Sequence, residues 1–434
     1  MTSSTEPAPS PLLWPAPRAT GPVDAAVSLP GSKSMTNRAL VLAALADEPT
    51  LVRGPLRARD TELMASALRA LGVRILDEPD GNWRVISGPL RGPAMVDCGL
   101  AGTVMRFVPP VAGLARGVVR FDGDPRARER PMRPLLQVLQ AIGVELDVPA
   151  YAGLPFAVHG TGRVRGGEVR IDASGSSQFL SGLLLAAPRF EHGLLVRHVG
   201  GRVPSLPHLE MTVTMLARAG ADADEPERGV WRVLPGPLRG GSSGVEPDLS
   251  SAAPFLAAAV VTGGEVRIPD WPARSVQPGA ELPALLAAMG ARGETGDHGL
   301  ALRGTGRISG FQAELADVTE LVPVLTAVAA LADSPSSLRG IGHMRGHETD
   351  RLAALATEIN GLGGDVVEAA DGLEVRPRPL RGGTFATYDD HRLAMAGAVL
   401  GLAVPGVRVE NVATTAKTLP AFPAMWSALV GTAS

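Results

Sequence analysis

Five times along this 434-residue chain, a leucine-rich helical pattern ends in a glycine and gives way to a short strand-like run. The glycines are Gly72, Gly143, Gly220, Gly290 and Gly363, spaced 71, 77, 70 and 73 residues apart. A glycine just past a helix takes the left-handed conformation that closes many helical C-termini. Strand candidates follow, among them Trp83 to Ile86, Trp231 to Leu234 and Leu373 to Arg376. A second series runs in step. Six Ala-, Leu- and Val-rich runs begin near Ser34, Ala101, Ser176, Ser250, Thr319 and Asp390. Each is apolar along nearly its whole length, as a helix buried on all sides must be. Repetition at this length means one supersecondary unit used several times. Strands alternating with one buried and one exposed helix predict an α/β fold. Six such units predict two domains of three units each.

The repeat also removes a decoy. Gly160-Thr161-Gly162 and Gly304-Thr305-Gly306 resemble the start of a dinucleotide fingerprint. They fall at equivalent turns of two repeats, and neither has the Gly-X-Gly-X-X-Gly spacing.

Bulk properties narrow the function. The chain is long enough for two or three cores. It is 45% hydrophobic and 20% charged, as soluble globular proteins are. With 41 basic against 44 acidic residues and only 4% aromatics, it is a poor nucleic-acid binder. Its one cysteine, Cys98, excludes internal disulfides and cysteine-rich zinc sites and suits a reducing cytosol. No apolar run reaches the roughly 18 residues needed to cross a bilayer. The opening residues, rich in Pro, Ser and Ala, read as a disordered tail over 1–15 and not as a signal peptide.

Pro30 to Arg38 carries the densest chemistry: a Pro-Gly turn, then Lys33, Ser34, Thr36 and Arg38, then the apolar run from Ala39 to Ala46. Such a turn beside an apolar run predicts a helix start. Free backbone N–H groups and the helix dipole attract anions there, and Lys33 and Arg38 add full charges. A capped surface helix would look much the same. The segment is not a P-loop, because Ser32 and not Gly precedes Lys33.

Most of the other buried helices also open on polar residues. The second has Gly102, Thr103 and Arg106; the third, Ser174 to Gln178; the fifth, Asp317 and Glu320; the sixth, Asp389 to Arg392. One cap per helix would suffice. The excess predicts that the mouths converge on a multiply charged ligand, with mutual pairing, as of Asp390 with Arg392, the plainer alternative. Two further stretches belong with them. Asp124 to Pro131 is a dense arginine loop, which would otherwise be a solvated surface. His347 to Arg351 opens a helix, with Glu348 and Arg351 on one face at i, i+3. His343 and His347 stand at i, i+4, but the His-Glu-X-X-His order is missing and no metal site is predicted.

Taken together, eight segments resemble the 5-enolpyruvylshikimate-3-phosphate synthase family. They are PGSKSMTNRAL from Pro30, AGTVMRF from Ala101, GDPRARERPM from Gly123, SGSSQFLSGLLLAAP from Ser174, VPSLPHLEMT from Val203, HETDRL from His347, YDDHRLAMA from Tyr388 and TTAKTLPAF from Thr414. They occur in the family's order. The resemblance implies two domains, each of three βαβαββ units, with the active site in the cleft between them. It places 16–28 with 248–434 in one domain and 29–247 in the other. The implied reaction moves the enolpyruvyl group of phosphoenolpyruvate to the 5-hydroxyl of shikimate 3-phosphate and releases phosphate. This belongs to aromatic amino-acid biosynthesis. A cytoplasmic monomer without metal or organic cofactor is implied, acting on small molecules and inhibited by glyphosate at the phosphoenolpyruvate site.

By the same resemblance, shikimate 3-phosphate would meet Lys33, Ser34, Arg38, Ser176, Ser177, Gln178, Ser205, Glu320 and His347. Phosphoenolpyruvate would meet Lys33, Gly102, Arg126, Gln178, Arg351, Arg392 and Lys417. Lys33, Glu320, Glu348 and His391 would be catalytic, with Glu348 beside the methylene and Glu320 beside the hydroxyls. The two substrates bring together about four to five negative charges, which Lys and Arg must balance. Cations lower the pKa of Glu348 and desolvation raises it; sequence leaves the winner open. This chain has Leu100 where many members have Asn, Glu320 where many have Asp, His347 where Lys is common and His343 where Asn is common. His347 in place of Lys predicts acid-side sensitivity of the activity. The related transferase acting on a UDP-amino sugar usually has a reactive Cys in the arginine loop, and this loop has none.

Overall fold

The computed structural model describes residues 12–296 and 298–431. All six apolar runs are helices: Lys33–Leu45, Gly102–Gly113, Gln178–Ala186, Ala253–Thr262, Val322–Ala330 and His391–Ala403. Four of the six, 102–113, 178–186, 322–330 and 391–403, join two parallel strands of one small sheet, and the other two each lead into a strand whose parallel partner comes from far away in the sequence. In the second unit, for instance, Ala94–Asp97 lies parallel to Arg116–Asp122, and helix Gly102–Gly113 connects them. An outer helix, Arg133–Ala141, then leads into the antiparallel pair Glu145–Asp147 and Phe156–Thr161. Five of the six sheets have four strands in this arrangement. The five helix-terminating glycines all have positive φ, between 85° and 105°. The decoy turns are equivalent: a Cβ at Gly160 would strike Ala115 O, and one at Gly304 would strike Ala259 O.

Burial explains why the first series is apolar all round. Helices 33–45, 102–113 and 178–186 pack on one another at the centre of one core. Helices 253–262, 322–330 and 391–403 do the same in a second, separate core. Residues with no face toward water gain nothing from polar side chains there.

The chain passes between the halves at two adjacent points. Gly31 bridges to Pro247, and Asp248 N donates to Pro30 O at 2.8 Å. A Cβ on Gly31 would sit 2.0 Å from Gly54 O, so only glycine fits this passage. In each half, one sheet borrows a strand from far away in the sequence. Gly241–Gly244 completes the first sheet beside Thr50–Arg53, and Asp24–Ala26 lies along Glu265–Ile268.

The tail expected over residues 1–15 needs correction. Leu13–Pro15 is a strand, antiparallel to Val407–Glu410. The sixth unit has no hairpin of its own among the described residues, and this strand takes the hairpin's place beside the central strand. Residues 1–11 of the expected tail lie outside the described residues.

Candidate active site

The helix mouths open onto one cleft between the two halves. Lys33, Ser34, Arg38, Gly102, Ser176, Ser177, Gln178 and Ser205 line it from one side. Glu320, His347, Glu348, Arg351, His391 and Arg392 line it from the other. Arg126 and Lys417 sit in the adjoining part of the cleft, where Glu348 is common to both. The halves touch around it. Ser205 N donates to Ala316 O at 3.0 Å, Leu206 N to Asp317 Oδ1 at 3.2 Å, and Arg126 Nε to Glu348 O at 3.1 Å.

Local sequence sets each mouth. Ser32 caps helix 33–45 by accepting from Met35 N, and this leaves Lys33 and Ser34 on the first turn facing the cleft. Arg38, one turn on, is buried and fully engaged: it donates to Thr212 Oγ1 at 2.8 Å, Ser181 Oγ at 3.1 Å and His208 O at 2.9 Å. Ser205 precedes helix Leu206–Arg218 with φ of 55°, a left-handed conformation that costs energy outside glycine. Its hydroxyl lies 3.4 Å from Thr319 Oγ1 of the other half.

The helix expected to open at His347 starts later, at Arg351, because Asp350 is its cap and accepts from Ala353 N. Glu348 therefore stands in the preceding turn. Its pair with Arg351, 3.0 Å long, is buried and not a solvated helical pair. Lys417 Nζ donates to the other carboxylate oxygen at 2.9 Å. Asp390 caps helix 391–403 by accepting from Arg392 N, and also receives Arg351 Nε at 2.7 Å. The plainer pairing of Asp390 with the Arg392 side chain is absent: Arg392 reaches across to Glu320, 3.6 Å away.

The arginine loop divides by role. Pro125–Arg128 forms one helical turn. Arg128 is exposed and tied to Asp122. Arg126 pairs with Glu129 and reaches the Glu348 carbonyl. Arg130 is buried, donates to Leu100 O at 3.1 Å and lines the cleft. Leu100, where Asn is common, thus contributes its main-chain carbonyl, while its side chain packs into the core. The cleft residues that went unassigned from sequence include Asp60, Arg106, Arg130 and His208. Arg106 was visible at its helix mouth and Arg130 in the loop. Asp60 and His208 look like ordinary first-turn residues of outer helices and carry no local mark.

The electrostatics resolve the open question about Glu348. Burial would raise its carboxyl, but Lys417, Arg351 and Arg130 overcome that and hold it well below the usual range. Burial also opposes the Glu320 charge, yet His208, Arg392 and Lys33 bring that carboxyl down to about 2. Lys33 is raised: burial is outweighed by Asp60, Glu348 and Glu320. Burial and nearby cations push His347 and His391 well below 6.5, so both rings are neutral near pH 7. The expected acid-side titration of His347 is corrected accordingly. Burial and Arg130 also depress Arg106, whose guanidinium donates, among the described residues, to Gln178 Oε1 and Pro131 O. The cleft is thus a cation-rich chamber in which Glu320 and Glu348 are held ionised. It suits polyanions whose reaction moves protons.

Comparison with known proteins agrees. The family model for EPSP synthase (3-phosphoshikimate 1-carboxyvinyltransferase) matches residues 17–426. A 3-phosphoshikimate 1-carboxyvinyltransferase of Kocuria rhizophila is 55% identical over 430 residues, covering 96% of this chain and 97% of that protein. Among solved structures, EPSP synthase from Acinetobacter baumannii superposes with a TM-score of 0.77 at 23% identity, covering 96% of this chain and 97% of that one. The enolpyruvyl transferase NikO from Streptomyces tendae has the same fold, with a TM-score of 0.72 at 17% identity over 95% of this chain and 96% of that one. A match over nearly the whole length, together with a relative sharing more than half its residues, establishes that the chain belongs to the EPSP synthase family.

Proposed function

We propose that the cleft transfers the enolpyruvyl group of phosphoenolpyruvate to the 5-hydroxyl of shikimate 3-phosphate, with the residues above in defined roles. The observation that carries this reading is the pair of carboxylates, Glu320 and Glu348, on one wall of a chamber that Lys33, Arg351, Arg392 and Lys417 make cationic. Ser34, Ser176, Ser177, Ser205 and Arg38 form the shikimate-phosphate end. Gly102, Gln178, Arg126, Arg351, Arg392 and Lys417 form the phosphoenolpyruvate end. The halves, 29–247 against the remainder, close on both substrates.

In the addition, the 5-oxygen bonds to C2 of phosphoenolpyruvate. Its proton passes to Glu320, and C3 takes a proton from Glu348. In the elimination, the C2–O bond to phosphate breaks and the new methyl returns its proton to Glu348. Departing phosphate takes up the proton held by Glu320, with Lys33 beside it as carrier. Glu348 is ionised while its cations are unengaged. The anionic substrates draw on Lys417 and Arg351, and with that pull removed burial raises the carboxyl toward protonation. Neutral His391, whose Nδ1 has no hydrogen-bond partner among the described residues, offers a donor or acceptor beside them.

The UDP-amino-sugar alternative would use a reactive thiol. Cys98 is fully buried, and burial with Asp97 and Asp122 pushes its thiol far up, which disables it as a nucleophile. The deciding measurement is phosphate release with each substrate alone and with both. Release only with both supports the reading. Release with a UDP-amino sugar in place of shikimate 3-phosphate, or none with both, overturns it.

A further inference from the structure

Among the described residues, five that are not glycine have positive φ. Four of them line the cleft or its adjoining part: Ser205, Tyr388, Asp389 and Asn411. Such strain persists only where the surroundings over-determine it, and it gathers at functional sites. Tyr388 and Asp389 are consecutive, with φ of 52° and 56°. They are the central residues of a turn closed by Asp390 N, which donates to Thr387 O at 2.8 Å. Turns with positive φ at both central positions favour Gly, Asn and Asp. A side chain as bulky as tyrosine is an outlier there.

The turn is gripped from two sides. On one side is helix Arg351–Gly361. Its buried Glu358 accepts from Ala386 N at 2.8 Å through one carboxylate oxygen and from Tyr388 OH at 2.7 Å through the other. Two turns earlier on the same face, Arg351 Nε donates to Asp390 at 2.7 Å. On the other side, Asn411 Nδ2 donates to Asp389 Oδ1 at 2.6 Å, and Thr414 Oγ1 to Asp389 O at 2.8 Å. Asn411 opens the short helix Val412–Lys417, which carries Lys417. The turn itself leads into helix 391–403, which carries His391 and Arg392. Three segments that deliver Arg351, Arg392 and Lys417 therefore meet at one strained turn. Glu358 lines neither the cleft nor its adjoining part, so its effect on the site passes through this turn. Burial and the Glu358 carboxylate push the Tyr388 phenol up to about 12, so it is a donor throughout the neutral range.

We infer, on the strength of the enolpyruvyl-transfer reading above, that Glu358 and Tyr388 are positioning residues for the phosphoenolpyruvate end. Their hydrogen bond holds the turn in its strained form, and the turn fixes Arg392 and Lys417 against Arg351. Without it the backbone relaxes and the cations lose their common aim. A misplacement of about 1 Å costs about a hundredfold in rate.

The test compares the full-length parent with Tyr388→Phe, Glu358→Ala and Glu358→Gln. It reads phosphate release with both substrates, calorimetric binding of shikimate 3-phosphate alone, and urea unfolding. Tyr388→Phe and Glu358→Ala should lower kcat/KM for phosphoenolpyruvate at least about tenfold. The dissociation constant of shikimate 3-phosphate should stay within about twofold of the parent's, because that end lies away from the turn. Glu358→Gln should keep at least about a third of parental kcat/KM, since its amide oxygen still accepts from Ala386 N and its NH₂ can meet the phenol oxygen. A merely structural role would lower the unfolding midpoint without this selectivity. Should Glu358→Ala not fold, Tyr388→Phe decides, as it removes one oxygen from a half-exposed side chain. Parental kcat/KM in folded Tyr388→Phe overturns the positioning role alone. So does an equal loss of shikimate 3-phosphate binding and phosphoenolpyruvate efficiency. A parent that releases no phosphate with both substrates overturns the catalytic reading, and the positioning role with it.

Discussion

Asp60 holds two lysines from opposite halves: Lys33 Nζ lies 3.4 Å from its Oδ2, and Lys417 Nζ 4.0 Å from the same oxygen. The carboxylate is almost wholly buried, and it brings both cations to the cleft. Lys33→Met removes one cation and leaves Asp60 its second partner, so the fold persists. Turnover measured by phosphate release should fall at least about a hundredfold, the scale for losing one transition-state electrostatic contact. Near-parental turnover in the folded variant would refute the role of Lys33.

Gly102 is closely packed at the proposed phosphoenolpyruvate end. A Cβ there would lie 2.7 Å from both Arg106 Nη1 and Gln178 Oε1, and 3.1 Å from Arg130 Nη2. These are side-chain tips, so the helix survives and the anion-holding groups move. Gly102→Ala should raise the KM for phosphoenolpyruvate at least about fivefold, the low end of an overpacking penalty. Glyphosate should inhibit the parent competitively with phosphoenolpyruvate and the variant less strongly. Equal inhibition of both would contradict the placement.

His347 replaces a common lysine with a ring that stays neutral. Burial and Arg351, which donates to its Nδ1 across 3.1 Å, push it well below 6.5. The pH profile of kcat/KM reports ionisations of the free enzyme. His347→Gln should therefore leave the shape of that profile unchanged between about pH 6 and 8. A limb near pH 6.5 that vanishes in the variant would show that the ring titrates there.

Glu320 links acidity to stability. Its carboxyl is depressed in the folded protein from 4.5 to about 2. The folded state therefore gains from its charge above about pH 4.5, and the gain is lost as pH falls toward 2. The stability difference between parent and Glu320→Gln, from urea unfolding, should be level above about pH 5 and change in favour of the variant below it. A difference independent of pH across that window would exclude the shift.

The fold was legible because its strongest constraints are local and repeated. All-round apolar runs and positive-φ glycines need no knowledge of distant partners. Gly72 and Gly363 announce helix ends by conformation alone. The site was legible in part, since polar excess at the mouths drew attention to Lys33, Gly102, Ser176 and Glu320. Asp60 was not, because its importance comes from lysines 27 and 357 positions away that only folding brings near. Leu100 misled in another way: its change of side chain matters less than its carbonyl, which any residue supplies. Leu13–Pro15 looked like a tail because its order comes from Val407–Glu410.

The borrowed strands impose a timetable on a chain built from its N-terminus. Once Gly244 has been made, every strand of the half around Lys33 has its neighbours. The other half has to wait. Asp24–Ala26 stays unmatched until Glu265–Ile268 emerges, and Leu13–Pro15 until Val407–Glu410 does. A nascent chain thus carries one finished lobe with two strands orphaned at its leading end. Unpaired strands invite association with other chains. At three residues each, these offer the smallest template such a timetable allows.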